Sequence, residues 1–182
     1  MELPWNEEKR VDALARYGVL DTEPERAFDD IAKLASIVCQ TPIAVVNLIA
    51  RDRQWFKSEV GLGVKSTPLE TSLCAQVLLE GRDLVVVKDT TKDERFACNP
   101  LVAGAPHLRF YAGAILQTAD KLPIGTVCVL DHQPRPDGLN PDQRTGLVSL
   151  ANLVMTHLEL RLALREPRQL PAENRSFSQA TA

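Results

Sequence analysis

The spacing of hydrophobic residues along the chain changes near Pro42. Before it, apolar residues recur every three or four positions, namely Phe28, Ile31, Leu34, Ala35 and Val38. This spacing predicts a helix with one buried face. A capping box over Thr22–Glu25 is expected to begin the helix, and Pro42 is expected to end it.

After Pro42 the pattern becomes typical of strands. Runs of β-branched and aromatic residues between turn residues predict five strands, at 43–49, 54–60, 84–87, 109–116 and 124–130. The short turns within the first pair and within the last pair indicate antiparallel hairpins. The segment from Asp89 to Pro106 has no clear period, and a segment of that length predicts a binding loop or a short-helix excursion.

Three further helices are expected. One is capped by Asn6 and ends at Gly18, a short one runs from Thr71 or Ser72 to Leu79, and a long one runs from Asn140–Pro141 to about Glu166. Together these elements predict an α+β domain with a central antiparallel sheet of five or six strands. The expected organisation is a helical extension (1–20), a main domain that includes the long C-terminal helix (21–166), and a disordered polar tail (167–182).

Charge and hydropathy exclude several classes of function. The net charge is −3 with scattered Lys and Arg, which argues against nucleic acid or an anionic membrane as a partner. No run approaches 18 consecutive apolar residues, and the acidic N-terminus is unlike a secretory signal peptide. A cytoplasmic location is expected.

The cysteines and histidines show no metal-ligand spacing. The four cysteines lie far apart without a C-x-x-C pair, so neither a disulfide framework nor a structural zinc site is expected. Cys39 and Cys128 fall in apolar segments and are expected to be core thiols. Cys74 lies near a predicted helix start, where a thiol can have a lowered pKa, and Cys98 lies in a polar loop without a resolving partner.

Six segments, in this order, resemble the GAF domains at the front of bacterial diguanylate cyclases and sensor histidine kinases. They are YGVLDTEPERAFDDIAKLA, PIAVVNLIARDRQWFKSEVGL, ETSLCAQVLL, DERFACNPLV, PHLRFYAGAIL and IGTVCVLD, and they span roughly residues 10 to 160. The resemblance implies that the N- and C-terminal helices cover one face of the sheet and that a ligand pocket lies on the other. It also implies a regulatory role toward a signalling output domain or protein, and pairing through helices.

The chain departs from the specialised members of this family. The cysteine motif of bilin-binding domains, the Asn-Lys…Phe…Asp-Glu pattern of cyclic-nucleotide binders and the close cysteine set of methionine sulfoxide reductases are not matched. No Ser-His-Asp order, glycine-rich phosphate loop or paired-carboxylate helix appears either. We therefore expect a non-catalytic domain that binds an unidentified small molecule. The sequence identifies no cofactor, so the cofactor is left as unknown, and no tightly bound haem, flavin or bilin is expected.

Five residues are candidate ligand contacts: Cys74, Phe96, His107, Arg109 and Tyr111. On a strand, Arg109, Tyr111 and Gly113 share a face, so the Arg–Tyr pair is able to hold a carboxylate or phosphate. The alternative is that Arg109 pairs with Asp93 or Glu94 and pins the loop shut. Trp55 and Phe56 are expected to face opposite ways, so that at most one lines a pocket.

The long C-terminal helix carries two apolar stripes, where one buried face needs only one. They are Leu147, Ala151, Val154 and Leu158, and Leu150, Leu153, His157, Leu160 and Leu164. The second stripe predicts a homodimer through this helix, unless the N-terminal helix or the tail covers it. The main prediction is thus a sensory domain that binds a small ligand and dimerises. The alternatives are a small cysteine-dependent redox enzyme and an interaction module with a vestigial pocket.

Overall fold

A computed structural model describes residues 3–165 and contains five helices and six strands. The helices are α1 (Glu7–Tyr17), α2 (Arg26–Cys39), α3 (Leu73–Leu78), α4 (Pro100–Ala103) and α5 (Pro141–Arg165). The strands are β1 (Ile43–Ile49), β2 (Arg53–Val60), β3 (Ser66–Pro68), β4 (Leu84–Val87), β5 (Phe110–Gln117) and β6 (Pro123–Asp131).

The strands form one antiparallel sheet in the order β3-β2-β1-β6-β5-β4. This confirms the predicted α+β class with a central antiparallel sheet. The short edge strand β3 was not predicted, because three residues without alternating hydrophobicity give no strand signal. The segment 89–106 holds a 3₁₀ turn at Thr90–Lys92 and the single-turn helix α4, so the short-helix interpretation is correct.

Local capping chemistry sets several helix ends where the sequence predicts them. The Asn6 Oδ1 accepts a hydrogen bond from the Lys9 N–H at 2.9 Å, and Gly18 ends α1 in the left-handed conformation at φ 52°. The Ser72 Oγ accepts from the Ala75 N–H at 3.0 Å at the start of α3. Each side-chain oxygen satisfies an amide that the first helical turn leaves without a partner.

The capping box predicted at Thr22–Glu25 is wrong. Helix α2 begins at Arg26, and its cap residue Glu25 makes no side-chain capping bond. The buried Lys57 Nζ explains the difference, because it donates to the Thr22 Oγ1 at 2.8 Å and to the Glu25 carboxylate at 2.6 Å. Both side chains that the box would use are bound to Lys57, so the chain stays extended to Glu25.

The helices from the two ends of the chain pack on one face of the sheet, as expected. Alternate strand residues, among them Val46, Leu48 and Val127, meet α1, α2 and α5 in one buried cluster. The opposite strand residues, among them Val45 and Tyr111, meet α3 in a second cluster. We call these two sides the helix face and the cavity face.

Helix α1 contributes directly to the helix-face core. Leu14 and Tyr17 are buried in that cluster, and Arg10 is 1% exposed with its Nη1 donating to the Ile49 carbonyl oxygen at 2.7 Å. The proposed domain bounds at 1–20 and 21–166 stay a prediction. The expected disordered tail at 167–182 lies outside the described residues.

Helix α5 buries one side and exposes the other. Its buried residues are Leu147, Leu150, Ala151, Val154 and Leu158, so Leu150 departs from the stripe predicted to face outward. Leu153, Leu160 and Leu164 are 49%, 54% and 78% exposed. By length and composition α5 also qualifies as a candidate membrane span, but a core helix passes the same test and this one packs on the sheet.

Candidate functional site

A cavity of about 420 Å³ lies on the cavity face, between the sheet, α3 and two loop segments. Strands β1, β2 and β6 form its floor, and the segments before α3 and around α4 form its walls. Its lining consists of Val45, Gln54, Phe56, Leu62, Val64, Thr67, Thr71, Ser72, Leu73, Cys74, Leu101, Ala105, Pro106, Leu108, Cys128 and Leu130. The cavity is large enough for a small organic molecule.

The lining is mostly apolar and, within the described residues, carries no charged side chain. Its polar groups are the Gln54 amide, three hydroxyls and two thiols. The Ser72 Oγ, which caps α3, also donates to the Gln54 Oε1. Such a wall suits an uncharged, largely apolar molecule with one or two hydrogen-bonding groups, because a buried charge without a partner is costly.

The strand pair Trp55 and Phe56 follows the predicted alternation. Phe56 lines the cavity, whereas Trp55 is buried in the helix-face cluster. The prediction that at most one of these rings reaches a pocket is therefore confirmed. Successive side chains on β2 point to opposite faces of the sheet, which is the physical reason.

A buried polar cluster lies beneath the two thiols, and Asn47 is at its centre. Asn47 and Thr126 are cross-strand neighbours on β1 and β6, and the Asn47 Nδ2 donates to the Thr126 Oγ1 at 2.6 Å. The same amide nitrogen lies 3.3 Å from the Cys74 Sγ and 3.6 Å from the Cys128 Sγ. Asn47 and Thr126 are fully buried, and these hydrogen bonds satisfy the Asn47 amide nitrogen, whereas the Asn47 Oδ1 is buried without a partner among the described residues.

The Cys74 and Cys128 sulfur atoms are 3.6 Å apart, and both residues line the cavity. Burial raises the pKa of the Cys74 thiol, but hydrogen bonds from Cys128, Thr126 and other neighbours outweigh it and lower the pKa to about 7. The pKa of the Cys128 thiol is raised well above its usual value, because its hydrogen bond to Cys74 and its burial both favour the protonated form. Cys74 is therefore the first of the pair to ionise. Cys128 is buried in the core as expected, but it lies beside a second thiol.

Tyr111 completes the cluster by lying along its own strand. Its Oη donates to the Cys74 Sγ at 3.4 Å, and burial raises the pKa of the phenol well above its usual value. Gly113, two residues on and on the same face, makes this geometry possible. A Cβ at Gly113 would lie 2.2 Å from the Tyr111 Oη, a distance no carbon–oxygen contact reaches, so only glycine leaves room for the ring.

Of the five candidate residues, only Cys74 lines the cavity directly. Cys74 lines the cavity, and Phe96 and Tyr111 are buried behind it with their ring centroids 6.3 Å apart. His107 is exposed in the left-handed conformation at φ 57°, and its side chain does not line the cavity. His107 directly follows Pro106, which lines the edge of the cavity.

Arg109 is bound to backbone carbonyls, in contrast to the expected pairing with an acidic residue of the loop. Its Nη1 donates to the Val102 carbonyl oxygen at 2.8 Å and to the Leu108 carbonyl oxygen at 2.9 Å. Within the described residues it forms no ion pair with Asp93 or Glu94, and it does not line the cavity. Asp93 is instead bound by Arg95, a residue two positions along the same loop. Arg109 thus ties α4 to the start of β5.

Sequence reasoning missed most of the cavity wall. Asn47 stands out as the one polar residue in β1, and it shares a face with Val45 by strand alternation. That signal could have placed it toward the pocket. Its proximity to Cys74 and Cys128, however, depends on three separate elements meeting, and no local pattern encodes such a meeting.

Comparison with known proteins agrees with this architecture. The family model for the GAF domain matches residues 23–158. A cyclic di-GMP phosphodiesterase of Pseudomonas aeruginosa is 40% identical over 132 residues, which are 72% of this chain and 22% of that protein. The chain therefore spans about a fifth of the length of this curated relative.

Solved structures share the fold at low identity. The GAF domain of an Acinetobacter phosphoenolpyruvate-protein phosphotransferase has a TM-score of 0.63 and 18% identity, over 88% of this chain and 98% of that one. A free methionine-R-sulfoxide reductase from Neisseria meningitidis has a TM-score of 0.60 and 15% identity, over 90% and 98%. With the family match over most of the described residues, these findings show that the chain belongs to the GAF domain family.

Proposed function

We propose that this chain is a non-catalytic sensory domain that binds a small, uncharged and largely apolar molecule in the cavity next to Cys74. The cavity itself carries the proposal, since it combines an apolar wall with a few convergent polar groups. Cys74, Gln54 and Ser72 supply the polar contacts. Tyr111 supports Cys74 through its hydroxyl and packs near Phe96 on the cavity face, and Arg109 and His107 shape the rim.

The signal is proposed to leave through the helix face, where two chains pair through α5. The exposed leucines of α5 are joined on this side by Leu34 and Ile37 of α2, which are 47% and 60% exposed. Exposed apolar side chains on neighbouring helices are typical of a helix-mediated contact. The N-terminal helix packs against α5 but leaves these leucines exposed.

The curated relative suggests the context of the signal. It is named a cyclic di-GMP phosphodiesterase and extends far beyond the shared segment. We propose that this chain likewise acts in the cytoplasm on a signalling output domain or protein, and that any catalysis belongs to that partner. Neither nucleic acid nor a membrane is part of the proposal.

A redox enzyme is the second candidate, and the 3.6 Å separation of the two thiols favours it. The Neisseria reductase was crystallised with its substrate, which its name gives as free methionine sulfoxide. A free amino acid carries an ammonium and a carboxylate, and the described cavity wall contains no Asp, Glu, Lys, Arg or His side chain to pair with either. We therefore expect no turnover of methionine sulfoxide by the full chain with dithiothreitol as reductant, measured by methionine release. Multiple turnovers would favour the enzyme.

The cavity can be tested with an uncharged fluorescent probe, N-phenyl-1-naphthylamine, on the reduced full chain. Val64 lines the cavity and is 44% exposed, so Val64→Trp should block the mouth without disturbing the core. Leu79→Trp is the matched control, because Leu79 is 38% exposed and does not line the cavity. We expect fluorescence enhancement with the wild type and with Leu79→Trp, and its loss with Val64→Trp.

Failure of the wild type to bind the probe, or equal binding by both variants, would contradict the proposed site. The natural ligand can then be sought by native mass spectrometry of the chain purified from its own host. A bound mass that is present in the wild type and missing from Val64→Trp would identify a cavity ligand.

A further inference from the structure

The cavity floor contains a pair of thiols that binding of an apolar ligand does not require. Cys74 on α3 and Cys128 on β6 are 3% and 1% exposed, yet both line the cavity. We propose that Cys74 and Cys128 form a reversible disulfide when a small hydroperoxide enters the cavity, so that the site responds to oxidation as well as to occupancy. This goes beyond the proposed ligand binding and does not depend on it.

The geometry requires a small movement only. The two sulfur atoms are 3.6 Å apart, and a disulfide bond is about 2.05 Å long, so they must approach by about 1.6 Å. Cys128 lies in a central strand paired on both sides, whereas Cys74 lies in a helix of six residues. We expect α3 to move toward the sheet, because a short helix at the cavity wall shifts at lower cost than a central strand.

The neighbours of the Cys74 sulfur favour its reactive form. The Asn47 amide and the Tyr111 hydroxyl both donate to it, at 3.3 Å and 3.4 Å. Donors that converge on a sulfur stabilise the thiolate, which is the nucleophilic form of cysteine. Cys128 is the resolving thiol, since its Sγ lies 3.6 Å from the Cys74 sulfur.

The proposed steps balance in atoms and electrons. The Cys74 thiolate attacks the terminal oxygen of the hydroperoxide, the O–O bond breaks, and the alkoxide takes up the proton that the Cys74 thiol released and leaves as the alcohol. Cys74 is now a sulfenic acid. The Cys128 sulfur attacks the Cys74 sulfur, the S–O bond breaks, and the hydroxyl leaves as water with the Cys128 proton. Two electrons pass from the thiols to the peroxide.

The other two cysteines serve as internal controls. Cys39 is buried in the helix-face core, and its burial there raises the pKa of its thiol to about 11. Cys98 is exposed in the loop before α4 and does not line the cavity. Neither residue lines the cavity, so a reaction that depends on the cavity should leave both thiols reduced.

In the test, the reduced full chain is treated with cumene hydroperoxide, and the thiols that remain free are blocked with N-ethylmaleimide. Peptide mass spectrometry then identifies which cysteines are blocked and which are crosslinked. We expect a Cys74–Cys128 crosslink in the wild type and in Cys98→Ser, reversed by dithiothreitol. In Cys128→Ser the crosslink should be lost, and dimedone should instead trap a sulfenic acid at Cys74. In Val64→Trp crosslinking should be slower, because cumene hydroperoxide must enter through the cavity mouth.

A wild-type chain that keeps both cavity thiols reduced while Cys98 is oxidised would overturn the proposal. So would a sulfenic acid that forms on Cys128 in Cys74→Ser as fast as on Cys74 in Cys128→Ser. Binding of N-phenyl-1-naphthylamine to the reduced chain is measured separately. Binding without crosslinking overturns only the disulfide, and crosslinking without binding overturns only the proposed ligand site.

Discussion

The two faces of the sheet are built from the same strands but differ in what they bury. On the helix face, alternate residues such as Val46, Leu48 and Val127 are fully covered by α1, α2 and α5. On the cavity face the intervening residues include Asn47 and Thr126, and α3 leaves a cavity of about 420 Å³ beside them. One side is filled with apolar side chains, and the other keeps open space and polar groups.

The helix face therefore mainly stabilises the fold, and the cavity face carries the proposed binding site. Close packing over the helix face supplies most of the apolar burial, which dominates the free energy of folding. The cavity face gives up part of that burial for a chemically distinct surface, with hydrogen-bonded Asn47 holding the two thiols. Variants on the two faces should therefore have different consequences, and three predictions test this.

The largest effect is expected on the outer side of the helix face. Replacing Leu153 and Leu160 together with Lys should weaken self-association at least about a thousandfold, or roughly 4 kcal/mol, because two charges would enter an apolar contact. Both residues are about half exposed in one chain, so its fold should persist. Light scattering at tens of micromolar checks this, with Leu79→Lys as the control. A monomeric wild type would contradict the proposed dimer.

Leucine truncations compare the two faces directly. Leu116→Ala on β5 removes a fully buried side chain from the helix-face core and should cost about 2–5 kcal/mol. Leu130→Ala on β6 removes one that already borders the cavity, so it should cost less, roughly 1–2 kcal/mol. Urea unfolding of both variants measures the difference. Equal losses would mean that the cavity face is packed as fully as the helix face.

The smallest effect is expected at the cavity rim. Arg109→Ala should lower the free energy of local opening of the segment 89–106 by about 1–2 kcal/mol, because two charged hydrogen bonds to carbonyls are lost. Hydrogen exchange should show faster exchange in this segment while β5 and β6 stay protected. Arg144→Ala is the matched control, since its Nε donates to the Leu139 carbonyl, which lies outside this segment. A uniform loss of protection across the sheet would show that Arg109 supports the core.

Local sequence patterns were sufficient for most of the architecture. The run IAVVNLI predicted β1 at Ile43–Ile49 to the residue, and Asn6 and Gly18 marked both ends of α1. Such signals depend only on neighbours within a turn or a strand, so they can be recognised without the fold. The Thr22–Glu25 box failed because Lys57, thirty-five residues after Thr22, competes for the same side chains.

The site followed from tertiary structure instead. The sequence alone determined that Tyr111 and Gly113 share a face and that Cys74 lies near a helix start, because strand and helix periods are local. It could not bring Cys74 within 3.6 Å of Cys128, fifty-four residues away, or turn Arg109 from a ligand toward the Val102 and Leu108 carbonyls. Both outcomes depend on the order of the strands, which decides which elements become neighbours. They also depend on which polar groups are buried as a result and must find a new hydrogen-bond partner. Close packing on one face and an open cavity on the other were decided only when the helices and the sheet came together.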